Sequence, residues 1–155
     1  MSANEEPKPV KIFTLQEANH MLPVLTRHIR SLHRLRELVL GLEVEIDALE
    51  LIVDDKDARP AHLEQKLNDY NQLVEEFHEV VHEIHSLGCY LKDPNSGLID
   101  FYGMREGRKV FFCWKFGESE IGYWHEVERG YKDRQPLQPM DGAGDTRPDD
   151  IEGMP

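Results

Sequence analysis

Residues 81–93 read Val81-His82-Glu83-Ile84-His85-Ser86-Leu87-Gly88-Cys89-Tyr90-Leu91-Lys92-Asp93. Up to Leu87 the apolar residues recur in steps of three and four, the period of a helix with one buried face. Gly88 stands where a helix C-cap belongs, because glycine takes the left-handed conformation without a Cβ penalty. After it the period shortens and the residues suit an extended strand. This change of period divides the chain into a helical part before Gly88 and a β part after it. It predicts an α+β fold.

Working back from Gly88, the second of two long helices covers about residues 60–87, with Leu63, Leu67, Tyr70, Val74, Phe77, Val81 and Ile84 on one face. Pro60 suits its first turn. Residues 54–59 are a short polar connector, so the helix before it returns as the antiparallel arm of a hairpin. That first helix covers about residues 14–53, with a stripe from Ala18 through Leu25, Ile29, Leu32, Leu35 and Ile46 to Val53. Thr14 and Glu17 have capping-box spacing, with Phe13 at the staple position. Pro23 removes a backbone hydrogen bond, which predicts a kink or break near Met21–Pro23.

Working forward, Cys89–Leu91, Leu98–Tyr102, Val110–Phe116 and Ile121–Val127 read as short strands. Asp93–Gly97, Arg105–Arg108 and Gly117–Glu120 carry turn residues between them. The expected architecture is a long helical hairpin packed with a three- to four-stranded antiparallel meander over about residues 89–127. Residues 1–12 and 138–155 offer few apolar anchors and are expected to be tails, the second acidic and disordered, leaving 13–137 as one folded domain.

The 155 residues carry a net charge of −12, which argues against general nucleic-acid binding. No apolar run is long enough to span a bilayer, and the polar N-terminus is no signal peptide. Two cysteines without metal-knuckle spacing read as reduced thiols in a cytoplasmic protein.

Several stretches occur together in a distinctive order: Phe13-Thr14-Leu15-Gln16-Glu17-Ala18-Asn19, Leu87–Asp93, Gly97-Leu98-Ile99-Asp100-Phe101, Cys113–Glu118 and Tyr123-Trp124-His125-Glu126. On these the chain resembles the prokaryotic domain of unknown function 2203 family over about residues 13–137. The resemblance implies no established activity and no catalytic residues. The helix before Leu-Gly-Cys in that family is typically Glu- and Leu-rich, so three histidines there are a departure.

Those histidines are the sharpest chemical signal. His78-Glu79-Val80-Val81-His82 has the H-E-x-x-H form of zinc peptidases, and His85 extends the stripe by a further turn. Three imidazoles on successive turns of one straight helix do not converge readily on one ion, and a His- and Glu-rich helix produces the motif by chance. The plain expectation is a row of histidines bordering the buried face. The alternative is a zinc or iron site in which Glu75 and, across the hairpin, His33 join His78, His82 and His85. With the connector centred near residue 57, His82 falls opposite Leu32 and His33. Cys113 and His125 form a second candidate, a reactive thiol–imidazole pair. Asp100 and Arg134 also lie on or beside the sheet. Arg27, Arg30 and Arg34 share a basic face, while residues 43–57 are acidic; a solvated charged face is the plain reading, and antiparallel pairing of two copies the alternative. The leading expectation is a non-catalytic interaction module, a homodimer with coiled-coil character and no cofactor. Metal binding is the alternative, with peptidase activity its remote special case.

Overall fold

The computed structural model describes residues 11–53 and 60–137. Of the expected tails, 1–12 and 138–155, all but Lys11 and Ile12 lie outside the described residues, as does the connector 54–59. Those described form two compact units, one of residues 24–53 and 60–86, the other of residues 11–23 and 87–137.

In the sheet-bearing unit, α1 (Leu15–His20) begins with the predicted capping box. The Thr14 side chain accepts from the Glu17 backbone at 3.0 Å, and the Glu17 carboxylate accepts from the Thr14 backbone at 3.0 Å. Together they satisfy two of the donors a helix start leaves open. Phe13 packs into the sheet: its ring meets Phe101 edge-on at 5.2 Å. The helix ends at His20, and α2 (Leu22–Ile52) starts after Met21. The kink or break expected near Met21–Pro23 is a break, which divides the first helical stretch into α1 and α2. Pro23 occupies the first turn of α2, where its missing N–H is no loss.

Five strands follow: β1 (Tyr90–Asp93), β2 (Leu98–Arg105), β3 (Arg108–Lys115), β4 (Tyr123–Glu126) and β5 (Gln135–Pro136). They pair in sequence order, each antiparallel to the next. The expectation of three or four strands is therefore corrected to five. The fifth is two residues, one of them proline, and has no apolar alternation by which to recognise it.

Turn chemistry sets the β2–β3 register. Glu106 and Gly107 both have positive φ, 53° and 74°, as a two-residue hairpin turn of the primed type requires. Arg105 then pairs with Arg108, and Asp100 with Cys113. One face of the sheet buries Ile99, Phe101, Val110, Phe112, Trp114 and Trp124. Gly103 belongs to it because the Phe112 ring fills the space of a side chain: a Cβ there would stand 2.2 Å from Cε2. β1 stops pairing at Tyr90–Asp100, and Phe13 takes the β2 edge beyond it, its N–H donating to the Tyr102 carbonyl at 2.7 Å.

In the helical unit, α2 and α3 (Ala61–Ser86) run antiparallel. Glu45 meets Lys66, Glu43 meets Tyr70, and His28 meets Glu83, so positions fall along α2 as they rise along α3. The Pro60 carbonyl accepts from the backbones of Leu63 and Glu64, which makes Pro60 the residue before α3 rather than its first. Leu25, Ile29, Leu32, Leu35 and Ile46 are buried on α2, but on α3 only Leu63 and Ile84 are. Leu67, Tyr70, Leu73, Val74, Phe77, Val80 and Val81 stay half-buried. The apolar face of α3 is therefore incompletely covered.

Candidate functional site

Alternation along a strand puts Asp100 and Tyr102 of β2 on the face opposite the aromatic core. The register adds Phe111 and Cys113 of β3, and then Tyr123 and His125 of β4. Three adjacent strands thereby direct a carboxylate, a thiol and an imidazole to one place. A ligand atom from each of Asp100, Cys113 and His125 lies within 4.8 Å of the other two. Their residues are 2%, 0% and 1% exposed.

His125 is engaged at both ring nitrogens. Nε2 lies 3.0 Å from Asp100 Oδ2, and Nδ1 lies 2.8 Å from the Glu126 carbonyl oxygen. A carbonyl can only accept, so Nδ1 carries a proton. With a carboxylate at the other end, the metal-free arrangement is an imidazolium–carboxylate pair. Burial alone would depress the His125 pKa. The hydrogen bonds to Asp100 and Glu126, with the charge of Asp100, outweigh it and raise the pKa above its ordinary value. Burial first, and then the Asp100 carboxylate beside it, push the Cys113 thiol far up, so the sulfur keeps its proton at neutral pH. Burial likewise pushes the Cys89 thiol up to about 12.

One atom in this set is poorly served. Asp100 Oδ1 is buried and has no hydrogen-bond partner, a costly condition for a carboxylate oxygen. Beside the cluster the Phe111 ring lies 5.4 Å from the His125 ring, and the Tyr102 ring stacks on Phe111 at 4.2 Å. Arg134 lies over the Tyr123 ring at 3.8 Å and donates to Glu118 at 2.7 Å. Glu118 also accepts from the Lys115 backbone at 2.6 Å, which ties the β3–β4 loop to the strand.

The structure thus brings together Cys113 and His125, the pair suspected from sequence, and adds Asp100 to them. It also changes the chemistry of the pair. His125 has no free nitrogen to act as base, and the thiol is not activated. The helical stripe is placed differently. His78, His82, His85 and Glu75 are exposed on α3, and His33 is half-buried on α2. The α3 histidines flank an apolar face on which Val74, Phe77 and Val81 are half-buried and Ile84 is buried. Glu83 meets His28, three residues from the position that the expected register sets opposite it. Among the described residues, Asp100, Cys113 and His125 form the one group of three donors close enough to share an ion. Arg27, Arg30 and Arg34 are exposed along α2.

A family profile described as an uncharacterised conserved protein, DUF2203, matches residues 11–137. The chain belongs to that family. No curated protein and no solved structure matches it. The DUF2203 match takes in both the sheet cluster and the helical histidines. Three of the segments on which the resemblance to DUF2203 rests, Gly97–Phe101, Cys113–Glu118 and Tyr123–Glu126, each contribute one member of the cluster. Asp100 was noted in the sequence without a role. The two-residue turn at Glu106-Gly107 was the signal that sets it opposite Cys113.

Proposed function

We propose that this DUF2203 protein binds one divalent transition-metal ion, zinc foremost, through Asp100, Cys113 and His125. The convergence of those three donors carries the reading. Thiolate, imidazole and carboxylate are the ligand types zinc takes, at about 2.0–2.3 Å. At a tetrahedral centre those bond lengths put nitrogen and oxygen about 3.3 Å apart. His125 Nε2 and Asp100 Oδ2 are 3.0 Å apart, so the ion asks for a small opening of the pair. The Nδ1 proton on the Glu126 carbonyl is the outer hydrogen bond that orients a metal-bound histidine and leaves Nε2 as ligand. A metal would also give Asp100 Oδ1 a partner. Near-complete burial leaves no route for a large substrate, which favours a binding or structural role over catalysis. Both cysteines are free thiols, in keeping with a reducing, cytoplasmic setting.

The test is elemental analysis of protein purified without a histidine tag, followed by chelation and titration with zinc and cobalt(II). The expected result is one ion per chain, a rise in melting temperature on loading, and loss of both in Cys113→Ser and in His125→Gln. His78→Ala with His82→Ala should keep the metal. No retained metal and no thermal shift on loading would overturn the proposal. Loss of the metal only in the double-histidine variant would move the site to α3.

A second reading, self-association through the helices, rests on its own observation. Leu40, Val44 and Leu51 occupy one stripe of α2 and are 45%, 70% and 86% exposed. They adjoin a helical pair whose α3 face is half-covered. A second copy laid antiparallel would cover the stripe and set Arg27, Arg30 and Arg34 against Glu45, Asp47 and Glu50. Light scattering should give a dimer mass that falls to monomer in Val44→Glu with Leu51→Glu. A monomer mass for the wild type at every accessible concentration refutes it.

A further inference from the structure

The face that carries the cluster is rimmed by aromatic rings with cations set on them. Lys92 Nζ lies 5.5 Å from the Tyr90 ring and 5.0 Å from that of Phe111. Lys109 Nζ lies 4.4 Å from the Tyr102 ring, and Lys115 Nζ 5.3 Å from that of Tyr131. Arg134 stands between Tyr123 and Tyr131. Tyr90, Tyr123 and Tyr131 are exposed by 36%, 38% and 45%. Among the described residues none of the three lysines is ion-paired with a carboxylate. The net charge of −12 conceals this arrangement: residues 87–137 hold eight Lys and Arg against eight Asp and Glu, so the whole acidic excess lies elsewhere in the chain.

We propose that this face binds single-stranded nucleic acid, with bases stacked on the exposed rings of Tyr90 and Tyr123 and phosphates held by Lys92, Lys109 and Lys115. A strand sheet bearing exposed rings gives unstacked bases a flat partner, and every base has a face to offer. A duplex hides those faces and presents phosphates alone. An acidic peptide satisfies the lysines but leaves the rings unused.

The experiment is fluorescence anisotropy across a salt series, with chelator present so that the outcome is independent of the metal. The probes are a short labelled single-stranded RNA, the DNA of the same sequence, its duplex, and polyglutamate. Either single strand should bind, and more tightly than duplex or polyglutamate; the RNA–DNA difference reports any use of the 2′-hydroxyl. Lys92→Gln with Lys109→Gln should lower the slope of log affinity against log salt by about 1.4, at about 0.7 per single-strand phosphate contact. Tyr123→Leu should weaken binding about tenfold and leave that slope unchanged. The lysine variants alter exposed side chains only, so the slope test stands even where Tyr123→Leu fails to fold. Absence of single-strand binding at low salt would overturn the proposal. So would equal affinity for polyglutamate or duplex, or a salt slope indifferent to the two lysines.

Discussion

Replacing Asp100 by Asn tests the charge state of the buried pair through its dependence on pH. In the metal-free protein the His125 pKa is raised above its ordinary 6.5, with Asp100 foremost among the groups that outweigh burial. A group whose folded pKa is raised stabilises fully below its unfolded pKa and loses that contribution as pH rises through the folded value. The pair therefore stabilises most below about pH 6.5 and progressively less above it. In Asp100→Asn the imidazole faces burial without its counter-charge. Below pH 6.5 the protein must then hold an unpaired buried imidazolium or forgo its proton. Breaking a buried pair from one side costs about 3–5 kcal/mol. Once His125 is neutral, its one proton stays on the Glu126 carbonyl and Nε2 faces the Asp100 carboxylate acceptor to acceptor, whereas the asparagine amide can donate to Nε2, so the substitution loses no hydrogen bond there. The variant should accordingly lag the wild type by about 3–5 kcal/mol near pH 5.5, with the gap closing well above neutrality. Urea titrations with chelator at several pH values, followed by the fluorescence of buried Trp114 and Trp124, measure the difference. A gap that stays constant with pH, or widens as pH rises, would refute the imidazolium–carboxylate assignment.

Gly103→Ala should cost about 1–3 kcal/mol, because its Cβ meets the Phe112 ring; a double variant with Phe112→Leu should recover part of that loss in a denaturant titration. Glu106→Asn should stabilise by up to about 1 kcal/mol, since asparagine accepts the positive φ of the β2–β3 turn more readily than glutamate; an unchanged or lower melting temperature would contradict this. Cys89 and Cys113 should resist iodoacetamide in the native protein at pH 8 and react once urea unfolds it, read by mass spectrometry; fast native labelling of Cys113 would show that its thiol is neither buried nor protonated.

The helix–strand division at Gly88 was legible because two periods meet at a residue with φ of +98°. Half the site was legible too. A two-residue turn leaves no freedom in pairing, so placing it at Glu106-Gly107 sets Asp100 opposite Cys113. The other half was not. The β3–β4 connection is long, closed by a Glu118 carboxylate on a backbone N–H and by a carbonyl taking the Trp114 indole N–H. No local rule gives its register, so the pairing of His125 with Cys113 rested on residue type alone, and Asp100 was not placed beside them. The helical histidines drew attention for the opposite reason. Their spacing is entirely local and shows at once, but spacing says nothing of what lies beyond the helix surface. The hairpin register was legible to within a turn: Glu43 meets Tyr70 and Glu45 meets Lys66, one and three residues from the expected alignment.

The single residue pairing of Phe13 with β2 has a bearing on solubility. β1 leaves the far end of β2 unpaired, and an open strand edge is a template for another chain's backbone. Phe13 closes that edge with one hydrogen bond to Tyr102 and one ring on Phe101. The element that guards the sheet against edge-to-edge growth is therefore supplied from outside the meander, by a segment that precedes both long helices. A fragment beginning after Thr14 would keep every strand and expose the edge.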